Sequence, residues 1–338
     1  MMDILAALWS DYGVFLLKTM TIVFALVFVI GMVANAAQRQ KSSEGELQVD
    51  NLTEGLRDTV NDMRLSLASG KAKKQLAKTL KKNKEGKGEP KGRLFVIDFK
   101  GSIDAKEVEC LRKEVTAILG VADKQDEVLV KLESPGGMVH GYGLAAAQLK
   151  RLRDNDLKVT IAVDKVAASG GYMMACVGHE IVSAPFAVVG SIGVIAQIPN
   201  FHKVLKKNDI DFEQITAGEY KRTLTMFGEN TDKGREKFKE EIEGIHTMFK
   251  KFVKENRDSI DIDAVATGEV WYGQEALEKG LVDRIATSDD LLLDAVKTKD
   301  VIRVRYKQKV KLGEKIAQQA TTAVERSLMK WYQNSRFY

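Results

Sequence analysis

The stretch "LKVTIAVDKVAASGGYMMA", residues 157–175, places a turn of small residues between two apolar runs. The first run predicts a short, largely buried strand, and the second predicts a helix. Ser169 lies between them in "ASGG", where the glycines allow backbone amides to approach a neighbouring group closely. Ser169 is therefore a candidate nucleophile at a helix tip, although the same residues also fit a tight turn with no chemical role.

Similar elements surround this stretch. Strand-like runs occur at residues 93–99, 127–133 and 180–184, and helical stretches occupy residues 105–119, 138–153 and 170–177. Strands that alternate with helices predict an α/β fold with mainly parallel pairing. We therefore expect an α/β domain over residues 94–308.

The net charge of +5 is unevenly distributed over the 338 residues. Residues 71–93 hold nine Lys and one Arg against two Glu, whereas residues 94–338 are neutral overall. Because the basic character belongs to a predicted linker and not to the folded body, the chain is not expected to bind nucleic acid. The linker is expected either to be a solvated spacer or to be attracted to anionic lipid headgroups.

Residues 19–37 contain no charged side chain and are long enough to cross the hydrocarbon core of a bilayer. The letters "ANA" before Ala37 resemble a signal-peptide cleavage site, but the first 17 residues contain no Lys or Arg. We therefore expect residues 1–41 to be a membrane anchor with one retained transmembrane helix. Arg39 and Lys41, which follow the span, favour a cytoplasmic position for the body.

Two segments flank the α/β domain. Residues 42–93 are predicted to form an amphipathic helix and the basic linker, because apolar side chains recur every three or four residues within residues 43–69. Residues 309–338 are predicted to form a helical tail.

The two cysteines, Cys110 and Cys176, have no metal-ligand spacing, so neither a disulfide framework nor a metal or cofactor is expected.

Two glycine-rich turns follow predicted strands, "SPGG" at residues 134–137 and "ASGG" at residues 168–171. In an open α/β sheet both turns lie at the carboxyl edge, where ligands bind. Backbone amides there are suited to an oxyanion hole beside Ser169. Either turn alone also fits a purely structural role.

A serine nucleophile needs a base. The four histidines are expected at surface or packing positions, since no predicted element brings one beside Ser169; they are His140, His179, His202 and His246. A neutral lysine is the other option. Lys221 stands outside the charged runs, in "GEYKRTLTMFG" at residues 218–228, although spacing alone does not select it.

Five motifs in this order, "SPGG", "AASGGYMMA", "GSIGVI", "GEYKR" and "GQEALEKGLVD", resemble the signal peptide peptidase A family over residues 94–286. The resemblance implies a membrane-anchored serine endopeptidase with a Ser–Lys dyad and a crotonase/Clp-protease-like fold, without a cofactor. Ser169 is then the nucleophile, Lys221 the general base, and Ser191 the residue that orients the lysine by a hydrogen bond. Val194 occupies the region where the Clp-type histidine lies.

The resemblance also assigns the oxyanion hole to the backbone amides of Gly136 and Gly170, with Gly137 as a possible substitute. Arg222 departs from the family pattern, in which a small residue commonly follows the lysine. Single-copy members assemble into rings in which a neighbouring protomer supplies the lysine. The expected partners are thus a peptide or protein substrate, membrane lipid and further copies of the chain, in an octamer or another ring.

The implied location is the bacterial inner membrane. The catalytic domains of the best-known relatives face the periplasm, whereas the basic residues after the predicted span favour a cytoplasmic position.

Two other functions remain open on the sequence. One is acyl-CoA chemistry on the same fold, which needs a carboxylate such as Glu133 near the acyl group. The other is an inactive membrane scaffold.

Overall fold

The computed structural model describes residues 15–24, 45–85 and 92–308. Residues Leu47–Lys307 form one compact unit. In the second unit, Met1–Glu46 with Gln308–Tyr338, the description covers chiefly residues 15–24, which are helical. Within the described ranges, every helix is too short or too polar to cross a bilayer. Most of the predicted span at residues 19–37, and the predicted tail at residues 309–338, lie outside the described residues.

The α/β class predicted from the sequence is confirmed. The strands are β1 (Glu46–Asn51), β2 (Arg93–Lys100), β3 (Glu127–Glu133), β4 (Lys158–Val163), β5 (Val166–Ala168), β6 (Glu180–Ser183), β7 (Val188–Gly190), β8 (Val270–Tyr272), β9 (Arg284–Ile285) and β10 (Asp300–Lys307). The helices are α1 (Leu52–Leu67), α2 (Gly70–Glu85), α3 (Val108–Leu119), α4 (Val139–Asp154), α5 (Gly170–Ala175), α6 (His202–Lys207), α7 (Asp232–Asn256), α8 (Ile262–Val265), α9 (Gly273–Glu278) and α10 (Ser288–Ala295).

Seven strands form the main sheet in the order β1-β10-β2-β3-β4-β6-β9. The five neighbouring pairs from β10 to β9 are parallel. A smaller sheet has the order β5-β7-β8, in which β5 is parallel and β8 antiparallel to β7. One bridge between Ser134 and Ala167 connects the end of β3 to β5, so the two sheets meet where the glycine-rich turns lie.

The central strands are mostly apolar because both faces of the main sheet are covered. Phe95 and Ile97 of β2 pack into the larger core cluster, to which α3, α4 and α5 contribute. Leu94 and Val96 of the same strand face a second cluster with side chains of α1 and α10. Two-sided burial is the normal condition of parallel sheets, and it explains why "RLFVIDF" lacks the alternation of a half-exposed strand.

The amino-terminal part of the compact unit differs from the prediction. Residues 46–51 form strand β1 and not the start of the predicted helix, and α1 begins after Asn51, whose side chain accepts a hydrogen bond from the Thr53 amide. The Thr53 hydroxyl accepts a hydrogen bond from the Val301 amide. Leu52 and Leu56 also pack against the second cluster, so β1 and α1 belong to the same compact unit as the α/β body.

Part of the predicted basic linker is also ordered. Residues Gly70–Glu85 form helix α2, although Lys71, Lys74 and Lys78 are exposed. Leu76 and Leu80 lie one helical turn apart and are half-buried. Their spacing of four gives the helix an apolar side, which the lysine content of the segment obscures in the sequence.

Glu114 of α3 is a buried carboxyl in the body of the fold. Its Oε1 accepts a hydrogen bond from the Tyr306 amide of β10 at 2.7 Å. Burial raises the pKa of Glu114 from its usual value near 4.5 to about 7, despite the opposing effect of that hydrogen bond. The folded chain therefore binds this proton more tightly than the unfolded chain does.

Because the folded-state pKa is raised, the contribution of Glu114 to the free energy of unfolding should be largest below pH 4.5. It should fall as the pH rises toward 7. Glu114→Gln keeps an acceptor for the Tyr306 amide and removes the ionisation. We expect it to raise the free energy of unfolding at pH 8 by about 1–3 kcal/mol and to leave it nearly unchanged at pH 4.

Urea unfolding of the two proteins across this pH range measures the difference. Glu109→Gln, on the exposed side of the same helix, is the matched control and should keep the wild-type pH dependence. The same pH dependence in wild type and Glu114→Gln would contradict the assignment.

Candidate active site

Ser169 lies between β5 and α5 in a strained backbone conformation. Its φ of 52° and ψ of −118° are rarely adopted by a residue with a side chain. The Ser169 amide donates to the Gly190 carbonyl at 2.8 Å, and the Ser169 carbonyl accepts from the Met173 amide at 3.0 Å. The hydroxyl makes no hydrogen bond within the described residues. The backbone therefore fixes the residue while its hydroxyl stays available.

Ser169 opens onto a groove of about 720 Å³. Ser191 and the turn containing Gly136 and Gly137 line the same groove. These residues come from the ends of β3, β5 and β7, which the meeting of the two sheets brings together. Four of the positions predicted from the sequence, together with Gly170 next to Ser169, thus lie at one site in a single chain.

Ser134 organises this site, and sequence reasoning did not identify it. It is fully buried, and its backbone pairs with β5 through the Val166 carbonyl and the Ala168 amide. Its hydroxyl donates to the Tyr142 hydroxyl at 2.6 Å, and that hydroxyl donates to the Ser102 carbonyl at 2.8 Å. Burial raises the pKa of Tyr142, so this phenol remains a donor across the physiological pH range.

The predicted oxyanion amides differ in their hydrogen bonding. The Gly136 amide donates to the Ser134 hydroxyl at 3.1 Å. The amides of Gly137 and Gly170 have no hydrogen-bond partner in the described part of the chain. A side chain at Gly136 would come within 2.7 Å of the Gly170 nitrogen, and its φ of 88° also favours glycine. Within the "SPGG" turn, the Gly137 amide is therefore unoccupied, whereas the Gly136 amide already has an acceptor.

Ser191 is held by its backbone in the same way as Ser169. Its φ is also 52°, and its amide donates to the Glu269 carbonyl at 2.6 Å. The Gly193 amide donates back to the Ser191 carbonyl at 2.9 Å, which closes a tight turn. The Ser191 hydroxyl has no hydrogen-bond partner among the described residues and is free to bind another group.

Lys221 is not brought to this groove within one chain. Its side chain is exposed and lines a different groove of about 880 Å³, together with residues such as Phe212 and Phe227. Its ammonium makes no ion pair or hydrogen bond within the described ranges. A single chain therefore brings together Ser169, Ser191 and the glycine amides without the predicted lysine.

The segment that carries Lys221 is unusually apolar for an exposed surface. It connects β7 to α7 and contains only the short helix α6. Phe201, Phe212 and Phe227 form a small cluster with ring centroids 5.8–6.1 Å apart. Its exposed large apolar side chains are Ile195, Ile198, Phe201, Val204, Ile210, Phe212, Ile215, Tyr220, Met226 and Phe227. Exposed apolar side chains are unusually numerous in this segment.

Two histidines have defined roles in the structure. His179 accepts a hydrogen bond from the Val159 amide through Nδ1 at 3.0 Å, which is the packing role expected for it. His246 of α7, in contrast, lines the groove of Ser169. This position could not be predicted from the sequence, because α7 lies more than 60 residues beyond β5. The two histidines thus differ in their relation to the groove.

The carboxylate considered for acyl-CoA chemistry lies elsewhere. Glu133 forms ion pairs with Lys165 at 3.0 Å and Lys100 at 3.1 Å, and it lines a separate pocket. The hydrogen bond from Lys165, followed by that from Lys100, lowers the pKa of Glu133.

Among the described residues, no group of three or more His, Cys, Asp or Glu side chains is arranged to hold a metal ion.

Comparisons with known proteins match most of the chain to one family of peptidases. Residues 7–149 match the model "Peptidase family S49 N-terminal", and residues 151–302 match "Peptidase family S49". A "Probable protease SohB" of Haemophilus influenzae is 50% identical over 326 residues, 92% of each chain. A protein of the same name from Buchnera aphidicola subsp. Acyrthosiphon pisum is 46% identical and covers 96% of this chain and 98% of its own.

A solved structure, "1510-N membrane-bound stomatin-specific protease" in complex with a substrate peptide, covers 69% of this chain and 99% of its own. Its sequence identity is 15% and its TM-score is 0.43. The family resemblance drawn from the five motifs is confirmed by the sequence matches.

Tyr142→Phe should loosen the turn at Gly136, because it removes the acceptor that fixes the Ser134 hydroxyl. We expect a loss of about 1–2 kcal/mol in the free energy of unfolding. Hydrogen exchange should also become faster in a peptide that covers residues 134–138. Chemical denaturation and exchange mass spectrometry measure the two effects.

The matched control is Tyr172→Phe, since Tyr172 is also buried and its hydroxyl donates to a backbone carbonyl, that of Leu281, at 2.9 Å. It should cost similar stability without the local increase in exchange at residues 134–138. Equal exchange of that peptide in the two variants would refute the role given to the Ser134–Tyr142 hydrogen bond.

Proposed function

The chain is a serine peptidase of family S49, and we propose that it hydrolyses peptide bonds with Ser169 as nucleophile and Lys221 as general base. The observation that carries the proposal is the strained turn at Ser169, where an unpaired hydroxyl opens onto a groove beside unpaired backbone amides. Strain of this kind persists only where surrounding structure enforces it, and it concentrates at functional sites. The substrates proposed are signal-peptide remnants or misfolded membrane-associated polypeptides.

Each half of the reaction requires two proton transfers through one amine. Ser169 Oγ attacks the carbonyl carbon of the scissile bond while its proton passes to the neutral Lys221 Nζ. The tetrahedral intermediate then collapses, the C–N bond breaks, and the lysine returns the proton to the departing amine. Water repeats the sequence on the acyl-enzyme and releases the carboxylic acid. Ser191 accepts or donates a hydrogen bond that orients the lysine.

For the oxyanion hole we propose the amide of Gly170 together with a second amide from the "SPGG" turn. The resemblance favours Gly136 as that second donor, but its amide already donates to the Ser134 hydroxyl. Gly137 has an unoccupied amide in the same turn and lines the same groove, which favours it as the donor. Donors fixed in advance in this way stabilise the charge of the intermediate without reorganisation.

We propose that Lys221 reaches Ser169 from a second copy of the chain. Two observations support this: Lys221 and Ser169 line different grooves of one chain, and the segment around Lys221 exposes a wide apolar surface. Ile195 and Ile215, for example, are 79% and 95% exposed. A second protomer that covered this surface would remove apolar area and the lysine from water together, and removal from water favours the neutral amine. Repetition of this contact would close a ring, for which an octamer is proposed.

The finer description of the fold and location is proposed on the same basis. The parallel main sheet with a small second sheet at the site supports a crotonase/Clp-protease-like fold. Residues 19–37 support anchoring in the bacterial inner membrane. The exposed Lys71, Lys73, Lys74 and Lys78 of α2 support contact with anionic lipid headgroups.

Complementation between two inactive variants tests the shared site. Ser169→Ala and Lys221→Ala should each abolish cleavage of a fluorogenic peptide, because each removes one partner of the dyad. In a randomly mixed ring, about one site in four would join an intact serine to an intact lysine from its neighbour. Coexpression of the two variants should therefore restore roughly a quarter of wild-type kcat.

Lys124→Ala, which removes an exposed lysine outside both grooves, is the control and should keep full activity. Mixed assemblies as inactive as the single variants would place both groups of the dyad on one chain and refute the shared site. Wild-type hydrolysis that survives in Ser169→Ala would refute the nucleophile. Absence of any Ser169-dependent hydrolysis would favour the inactive scaffold.

A further inference from the structure

We infer that His246 is a positioning residue for the turn that carries Ser191. This inference rests on the proposed function in one respect, the part assigned to Ser191 in orienting the base. It goes beyond that function because it adds a residue from α7 to the site. Three hydrogen bonds fix residues 191–193, and one of them comes from His246.

The turn at residues 191–193 is unusually constrained by its backbone. Ser191 has a positive φ, its amide donates to the Glu269 carbonyl at 2.6 Å, and the Gly193 amide donates to the Ser191 carbonyl at 2.9 Å. Ile192 between them is fully buried. These bonds use the amides of Ser191 and Gly193 and the carbonyl of Ser191, and they leave the carbonyl of Ile192 to be satisfied by another group.

His246 satisfies that carbonyl. Its Nε2 lies 3.1 Å from the Ile192 oxygen. Because a carbonyl oxygen can only accept, Nε2 must carry a proton and donate it to this bond. This bond comes from a side chain on α7, whereas the bonds of the Ser191 and Gly193 amides join backbone groups only. His246 thus ties the long helix to the turn beside Ser169.

The same geometry argues against His246 as the general base for Ser169. A base must offer an unprotonated nitrogen to the serine hydroxyl, and Nε2 is already engaged as a donor to Ile192, so only Nδ1 could accept the serine proton. Within the described residues, no hydrogen bond joins His246 to Ser169. His246 nevertheless lines the groove, so it acts on the site through the peptide plane between Ile192 and Gly193.

The peptide plane between Ile192 and Gly193 matters because residues that line the groove lie on both sides of it. Ser191 precedes it, and Val194 and Ile195, which line the groove, follow it. A rotation of this plane would move the Ser191 hydroxyl relative to any amine that binds there. Displacements of about 1 Å at a catalytic group are enough to lower the rate substantially. His246 therefore affects turnover more than it affects substrate binding.

The test compares side chains of similar length with and without a donor. The amide of His246→Gln can reach the position of Nε2 and donate, whereas His246→Met is similar in length and has no donor. We expect the Met variant to lose roughly tenfold or more in kcat, the range for loss of one fixing hydrogen bond. The Gln variant should stay within about threefold of wild type, and KM should change little in either.

Two further measurements keep the result interpretable. Hydrogen exchange in a peptide that covers residues 190–196 should become faster in the Met variant and not in the Gln variant. Thr247→Gln and Thr247→Met, at the neighbouring exposed position of α7, should behave like wild type in both assays. If the Met variant fails to fold, His246→Asn replaces it, since its shorter amide cannot reach the carbonyl.

Equal kcat values in the Gln and Met variants, or equal exchange at residues 190–196, would overturn the proposal. All rates are corrected for hydrolysis by Ser169→Ala. A wild-type protein without Ser169-dependent hydrolysis would refute the proposed function, while the exchange measurement would still decide the role of His246. Failure of one proposal is therefore distinguishable from failure of the other.

Discussion

The geometry of the active site depends on the hydrogen bonds of one buried residue, Ser134. Its backbone joins the end of β3 to β5, and its hydroxyl connects the Gly136 amide to Tyr142 of α4. These bonds fix the two glycine-rich turns relative to each other at the point where the sheets meet. A buried hydroxyl is costly to leave unsatisfied, so the arrangement holds only when every partner is in place. The amides beside Ser169 are positioned by this constraint before any substrate binds.

The structure divides the proposed catalytic groups between a rigid part and an exposed part. Ser169, Ser191 and the glycine amides are held by backbone hydrogen bonds and strained turns in the compact body. Lys221 lies on a segment with little regular structure and many exposed apolar side chains. If a neighbouring chain supplies the amine, an isolated chain folds without a complete site.

The sequence predicted the positions whose role depends on local geometry. The strand, the glycine pair and the helix after Ser169 are contiguous in the chain, so their arrangement could be inferred from residues 157–175 alone. The choice between Gly136 and Gly137 could not, because it depends on where the Ser134 hydroxyl points. Tyr142 was missed for a similar reason, since its bond to Ser134 forms only after α4 packs against the sheet.

The other differences also come from long-range contacts. Apolar spacing in residues 43–69 fitted a helix, but β10 pairs with residues 46–51, which therefore form an edge strand. His246 reaches the groove because α7 packs against the body, a contact that no local pattern reveals. Local spacing did not reveal the position of Lys221 relative to Ser169 either, since the fold of one chain places the two residues in different grooves.

An electron cryo-microscopy structure of the assembled protein, at a resolution that shows side chains, tests the shared Ser–Lys dyad. Ser169 Oγ of one protomer should lie about 3 Å from Lys221 Nζ of its neighbour, within hydrogen-bond reach and shielded from solvent. A separation far beyond that reach in every pair of chains, or an amine that remains in open water, would rule the shared dyad out.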